Sequence, residues 1–364
     1  MPVREATLND KEKWNDFVET EGGSIFHYFE WKNIYDVKNW HYIPLILENE
    51  TSQIICILPL VKINGFLYSR FVSLPEGASG GFIFKKGLTK TKKSQAMNMI
   101  LNYIEQKYSK GCSTFTLNEN LTLMDVSKTE PTEILTNNGF NFQYNKDVRL
   151  PCTYLLKLTP SFEDDIWYGL WRKYLRNHIR KSQKKGVYVK EDTNLQYKDD
   201  FIRMLSTTYR RLNSPPLSKE EIILRFTTFK DKTKVWVAFL NDKPIASLLC
   251  YYMSSICYAS KMVYNDSARE YYATVLLFHE AIRDACTNGY QFFEFGVTPT
   301  ASLAYWKEQF MPIKIPMRIY EKRYSIVRTF FEKPTSLIKW AWNNKRYIWN
   351  NRRRFMSEVI GERI

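Results

Sequence analysis

The chain has 364 residues, a formal net charge of +15, 44% apolar residues and 16% aromatic residues. That composition buries sizeable cores and excludes a largely disordered chain, and at roughly 150 residues per domain it predicts two domains. The excess positive charge points to anionic partners (phosphates, anionic lipid or an acidic substrate), since net charge governs association rather than fold.

The first half reads as α/β. Helices are expected over Lys11–Glu19 and Phe29–Tyr35, the second carrying Trp31 and Ile34 at helical spacing. Strands follow at Tyr42–Glu48 and Gln53–Lys62, separated by a polar turn, then a turn at Asn64-Gly65 and a strand over Phe66–Leu74. A glycine-rich loop spans Pro75–Gly81, Ser94–Tyr108 is an amphipathic helix, Ser113–Leu117 a strand, and Asn137–Phe140 a turn. From Pro160 a new pattern begins. Trp167, Leu170, Trp171, Tyr174, His178 and Ile179 recur as one helix face, with Arg172, Arg176, Arg180 and Lys184 beside it, and residues 172–190 carry eight Lys/Arg and no Asp/Glu. After Pro215-Pro216, Lys234–Leu240 and Pro244–Met253 form a hairpin across Asn-Asp-Lys-Pro. Ser255–Val263 is a strand, Thr274–Thr287 a helix stopped by Asn288-Gly289, and Gln291–Val297 a strand.

The longest unbroken apolar run, Ile54–Val61, has eight residues and contains Pro59, whereas a membrane-spanning helix needs about 20. The N-terminus (MPVREATLNDKEKW) lacks the apolar core of a signal peptide. Six scattered cysteines without a C-x-x-C pair suit a reduced interior, so a cytoplasmic location is expected. His27, His41, His178 and His279 stand too far apart for metal-ligand spacing, and no Walker loop, G-x-S-x-G or G-x-G-x-x-G occurs. Neither a metal nor a nucleotide cofactor is expected. Residues 321–364 hold 11 Lys/Arg against four Glu, interleaved with Trp340, Trp342, Tyr347, Trp349 and Phe355. Such a basic aromatic helical tail suits an anionic membrane surface, RNA phosphates and bases, or packing back onto the domain.

Several segments in order carry a resemblance. FHYFEWKNIYD and ILPLVKINGFLYSRFVSLPEGASGG in the first half, then LRNHIRKSQKKGV, YRRLNSPP, YASKMVYNDSARE, NGYQFFEFGVT and YWKEQFMP in the second, resemble the FemAB/FemX family and related acetyltransferase-like proteins of envelope and exopolysaccharide gene clusters. Glu294 stands where that family usually has aspartate, and Met311 where it usually has glycine. The resemblance implies an α/β (α+β) fold of two tandem GNAT-like domains with mixed sheets flanked by helices, at 1–150 and 151–320, plus the tail at 321–364. It implies a transferase that moves an aminoacyl group from aminoacyl-tRNA, or another acyl group, onto an amine of a nucleotide- or lipid-linked anionic envelope precursor. The acyl donor is then a co-substrate rather than a cofactor, with tRNA as partner and the tail as a peripheral contact with anionic membrane at the inner face.

Within that frame the residues allow paired readings. Lys307 either holds a phosphate or a developing oxyanion, or is a surface lysine lying over Trp306. Glu294, expected opposite Phe293 and Phe295 on its strand, either takes the proton of an attacking amine or is a structural carboxylate. Trp31 and Lys32 fall where the resemblance puts an acceptor's diphosphate, with Trp31 as a core residue the other reading. Arg172, Arg176 and Arg180 suit an anion or simply a solvated helix face. Tyr209, Arg210, Tyr258 and Tyr305 follow from motif position, Tyr305-Trp306 being expected as a buried pair. The connection Asn265–Ala273 has no glycine, two acids and two tyrosines, which argues against a coenzyme A pyrophosphate cradle, since that needs open backbone N–H groups at a helix start. Two rival functions remain: an acyl-CoA-dependent N-acyltransferase acting on an amino sugar or surface polysaccharide, and a non-catalytic basic RNA- or lipid-binding adaptor.

Overall fold

The structure, a computed structural model, describes residues 2–65, 68–75, 80–118, 130–143, 152–211 and 217–324. The expectations for residues 76–79 of the glycine-rich loop, Phe66, Pro215-Pro216, the 150/151 boundary and the tail beyond Tyr324 lie outside these residues.

The strands are β1 (Val3–Glu5), β2 (His41–Glu48), β3 (Ile54–Asn64), β4 (Ser69–Ser73), β5 (Ile83–Phe84), β6 (Cys112–Asn118), β7 (Asn141–Gln143), β8 (Cys152–Lys157), β9 (Tyr188–Glu191), β10 (Thr233–Leu240), β11 (Lys243–Met253), β12 (Ile256–Tyr264), β13 (Phe292–Glu294), β14 (Ile313–Pro316) and β15 (Ile319–Arg323). The α-helices are α1 (Lys11–Thr20), α2 (Trp31–Val37), α3 (Lys90–Tyr108), α4 (Glu130–Asn137), α5 (Lys173–Lys184), α6 (Lys198–Arg211), α7 (Lys219–Thr227), α8 (Ser267–Glu270), α9 (Ala273–Thr287) and α10 (Ala301–Glu308).

Two mixed sheets repeat one plan. The first runs β1-β2-β3-β4-β6-β15-β7, with β5 also on β3, and the second runs β9-β10-β11-β12-β13-β8-β14. In each, four antiparallel strands are followed by one parallel pair, β4 with β6 and β12 with β13, and then two antiparallel strands. The duplication read from the order of elements is therefore present in the backbone. One strand also crosses between the halves: β15, from the end of the second half, sits between β6 and β7 of the first sheet, whereas β8 stays in its own half's sheet, between β13 and β14. The expected boundary after residue 320 thus falls inside β15, a strand of the first sheet.

Three buried cores fill the layers. One lies between the first sheet and α3, another between the second sheet and α5, α9 and the segment Phe162–Trp171. The third is shared: Trp14, Ile34 and Val61 of the first half meet Phe201, Phe226, Tyr251 and Tyr258 of the second. Apolar residues on both faces of the two sheets explain why β2, β3 and β11 read as nearly continuous apolar runs rather than alternating ones.

Local chemistry sets several elements as expected. The β10–β11 hairpin turns on Asn241 and Asp242, both left-handed at φ 50° and 59°, the geometry a two-residue hairpin loop favours. Helix α9 ends before Gly289 at φ 78°. One region differs. Phe162–Tyr168 is a π-helical turn and α5 starts only at Lys173, burying Leu175, Ile179 and Ser182 while Tyr174 is 60% exposed. The apolar spacing read across Trp167–Ile179 spans two separate elements. Periodicity counts residues and does not see the break in backbone phase.

A candidate acyl-transfer site at the parting of two strands

β12 and β13 pair in parallel only through Ile256–Phe292, Cys257–Phe293 and Tyr258–Glu294. β12 continues to Tyr264 while β13 stops at Glu294, short of the expected Val297, so the strands part at Tyr258 and Glu294. Just beyond, β12 carries a bulge at Ser260: Leu249 pairs with Lys261 and Cys250 with Ala259. A bulge adds an unpaired residue and re-aims its neighbours. The chain leaving β13 presses against this bulge at Gly296, which has φ +75° and where an added Cβ would lie 2.8 Å from the Ala259 carbonyl oxygen. Only glycine meets both demands.

Alternation then orients Glu294. Phe293 and Phe295 are buried among the α9-side core, as expected, and Glu294 turns to the opposite face with Tyr258 and Thr153. The Thr153 hydroxyl donates to Glu294 Oε1 and also lies 3.2 Å from the Gly296 carbonyl oxygen. Burial raises the Glu294 pKa above the usual carboxyl value, with the Thr153 bond and the Lys307 charge pulling the other way.

Lys307 comes from α10, whose N-cap Thr300 accepts from the Leu303 N–H. It is 3% exposed. Its ammonium donates to the Gly296 carbonyl at 2.7 Å, the Thr298 hydroxyl oxygen at 2.9 Å and the Val297 carbonyl at 3.3 Å. Burial lowers its pKa to about 8, opposed by the charge of Glu294. The lysine is thus an internal group that pins the segment after β13 and puts a titratable positive charge beside a carboxyl whose own affinity for a proton is raised. A carboxylate able to take a proton and an ammonium near it are groups that acyl transfer can use.

The other expected residues divide. Tyr258 joins the site: it is buried, paired with Glu294, its hydroxyl pKa raised by burial and then by Glu294. Trp31 does not stand open to a ligand. It is 3% exposed, donates its indole N–H to the Ile25 carbonyl and packs against Phe26, Phe229 and Tyr251. Phe26 in turn packs edge-on against Tyr258, with ring centroids 5.8 Å apart, so Trp31 supports the site through a chain of rings. Lys32 pairs with Asp36 on its own helix. Arg176 is spent on backbone, donating to the carbonyls of Trp167, Tyr168 and Trp171, whereas Arg172 and Arg180 are exposed, Arg180 lying over the Trp167 ring. Tyr209 is half-buried against the shared core, and Arg210 is exposed at the end of α6. Tyr305 is 70% exposed rather than part of a buried pair; Trp306 alone packs inward, on Phe278 and Phe310. Thr153 was missed, because a lone threonine in a strand 141 residues from its partner carries no sequence signal.

The connection from β12 to α9 is closed. Residues Asn265–Tyr272 coil into α8, which uses the N–H groups of Ala268, Tyr271 and Tyr272 on carbonyls within the turn. Tyr272 caps α9 in the left-handed region at φ 54°, with His178 of α5 stacked on its ring at 4.2 Å. Lys185 lies over the rings of Tyr271 and Tyr272 and donates to the Glu270 carbonyl. Three backbone donors of this connection are thus used within the turn, and the rings of His178 and Tyr272 with the Lys185 ammonium roof the start of α9.

Fold and site together define a tandem GNAT-fold protein. Residues 171–308 match the family model described as an acetyltransferase (GNAT) domain. The structure is similar to that of FemX, with a TM-score of 0.68 at 11% identity over 89% of this chain and 97% of FemX. It is also similar to the C-terminal domain of a putative lysylphosphatidylglycerol synthetase from Agrobacterium fabrum, at TM-score 0.59 and 11% identity over 91% and 98% of the two chains. A tandem GNAT protein from the clavulanic acid biosynthesis pathway gives TM-score 0.54 and 12% identity over 89% and 98%. No curated protein matches the sequence. The expected likeness to FemX therefore holds at the level of fold, and the domain match supports an acyl-group transferase whose donor is a co-substrate. Among the described residues no group of His, Cys, Asp and Glu is arranged to hold a metal ion, and no helix is long and apolar enough to cross a membrane.

Proposed function

We propose that this protein moves an aminoacyl group from aminoacyl-tRNA onto an amine of an anionic cell-envelope precursor. The observation that carries this reading is the closed β12–α9 connection, in which α8 uses backbone N–H groups internally and Tyr272, His178 and Lys185 cover the start of α9. An acyl-CoA donor needs such N–H groups for its pyrophosphate, whereas an RNA-borne ester does not.

In the reaction the acceptor nitrogen attacks the ester carbonyl of the donor. Glu294 takes the proton lost by the nitrogen, which its raised pKa favours. The Lys307 ammonium supplies positive potential to the oxyanion, and its longest contact, 3.3 Å to the Val297 carbonyl, is the one exchanged for substrate oxygen. The ester C–O bond then breaks, and the RNA 3′ oxygen leaves with the proton that Glu294 took from the nitrogen. Thr153 keeps the carboxylate aimed, and the two reactants are brought together chiefly by orientation.

The test is a transfer assay with labelled aminoacyl-tRNA and lipid- or nucleotide-linked precursors, run beside a titration with acetyl-CoA. Label appearing in an amide product supports the reading. Tight saturable binding of acetyl-CoA with no transfer from RNA replaces it with a CoA-dependent N-acyltransferase.

A further inference from the structure

Resting on that reading, the geometry points to where the donor's end is held: we propose that the Tyr174–His178–Tyr272 ring ladder is a stacking platform for the single-stranded 3′ end of an RNA. Tyr174 and His178 project from α5 one turn apart and meet edge-on, with ring centroids at 4.1 Å and planes 61° apart, and His178 stacks on Tyr272 at 4.2 Å with planes 20° apart. The ladder therefore runs from the surface of α5 down to the N-cap residue of α9. Its outer ring is open: Tyr174 is 60% exposed. Tyr174 lies outside the buried face of its helix, which Leu175, Ile179 and Ser182 form, and its ring contact is with His178.

The surroundings carry the right charge. The stretch 172–190 has eight Lys/Arg and no acid. Lys181 and Lys184 on the same helix are exposed, and Lys185 sits over Tyr271 and Tyr272. Stacked aromatic rings flanked by cations suit an unpaired nucleotide strand, in which the bases stack on the rings and the phosphates meet the lysines. The same rings that close the pyrophosphate cradle thereby offer a different surface to a different donor. A double-stranded stem presents no free base to Tyr174, so the ladder discriminates an extended end from a blunt one.

The test uses the full-length protein and two stem-loop RNAs, one with a short single-stranded 3′ extension and one blunt, followed by fluorescence anisotropy over a range of salt, with coenzyme A and anionic vesicles as further probes. The extended RNA is expected to bind about tenfold more tightly than the blunt one. Tyr174→Ala removes that difference and Tyr174→Phe retains it, both with unchanged thermal midpoints because the side chain is exposed. Lys181→Glu and Lys184→Glu weaken both RNAs and lower the salt slope by about 1 each. A preference for the extended RNA that survives Tyr174→Ala overturns the platform while leaving the aminoacyl-tRNA reading standing. Failure to bind either RNA, with saturable binding of coenzyme A, overturns both. Loss of vesicle binding in the lysine variants with RNA binding intact overturns the platform in favour of a membrane contact.

Discussion

Lys307 and Glu294 share one small volume, and their proton affinities have moved toward each other: the amine down to about 8, the carboxyl up. For Lys307 the unfolded chain still holds its proton between pH about 8 and the ordinary lysine value while the folded chain does not, so this group makes stability rise with pH across that window and imposes its full burial cost below it. If the ammonium is the working form, turnover falls as pH passes through about 8, and a pH–rate profile that stays flat to pH 10 contradicts that role. For Glu294 the sign is opposite. The folded state holds the extra proton above the ordinary carboxyl pKa, so its contribution to stability declines as pH rises through the raised value. Glu294→Gln keeps the Thr153 bond and removes the proton acceptor. Melting curves at neutral pH should then shift by less than about 1 kcal/mol while the transfer rate drops by about 100-fold or more. A normal rate in this variant makes Glu294 structural. The same change removes the charge that supports the Lys307 ammonium and moves the alkaline limb to lower pH.

At the scale of elements, two short connections shape the site by opposite means. Gly296 has both a left-handed φ and a carbonyl 2.8 Å from where a Cβ would stand, so Gly296→Ala forces β12 and the Lys307 anchor apart and is expected to cost stability and activity together. Met311 takes φ 59° after α10 with a side chain that does not favour it. The turn missing its usual glycine therefore forms all the same. Met311→Gly should leave stability unchanged or raise it, against the loss of about 0.5–1 kcal/mol that glycine brings in ordinary backbone. A clear drop in the urea midpoint would show that the methionine side chain outweighs the strain. Sequence signals served well where the cause is local: the Asn241-Asp242 hairpin and the Gly289 stop of α9 follow from backbone preferences of single residues. They served poorly around Trp167–Tyr174, where a π-helical turn shifts the phase of the apolar stripe, and at Arg176, whose guanidinium is claimed by three carbonyls of the irregular segment just before its helix.

For the whole molecule, one lent strand and the shared core couple the halves. β15, from the end of the second half, completes the first sheet, and residues of both halves fill one apolar interior. The first half does not keep its sheet intact without the second. Denaturant unfolding followed by fluorescence and by circular dichroism is therefore expected to give one coincident transition; two separated transitions would mean that β15 and the shared core do little to couple the halves. Thr153, which aims Glu294, lies on β8, the strand that pairs with β13 inside the second sheet.

The sequence by itself determined the α/β class, the repeated order of elements and the place of most strands and helices, which follow from spacing and turn chemistry, properties of neighbouring residues. The resemblance to the FemAB/FemX family pointed to Lys307, Glu294 and Tyr258. Only the tertiary structure decided that Trp31 is a buttress, that Tyr305 faces outward, that Thr153 belongs to the site, and that the first sheet takes β15 from the second half. Those outcomes depend on contacts between residues far apart in the chain, and a side chain's exposure and partners are fixed by what folds against it rather than by what precedes it.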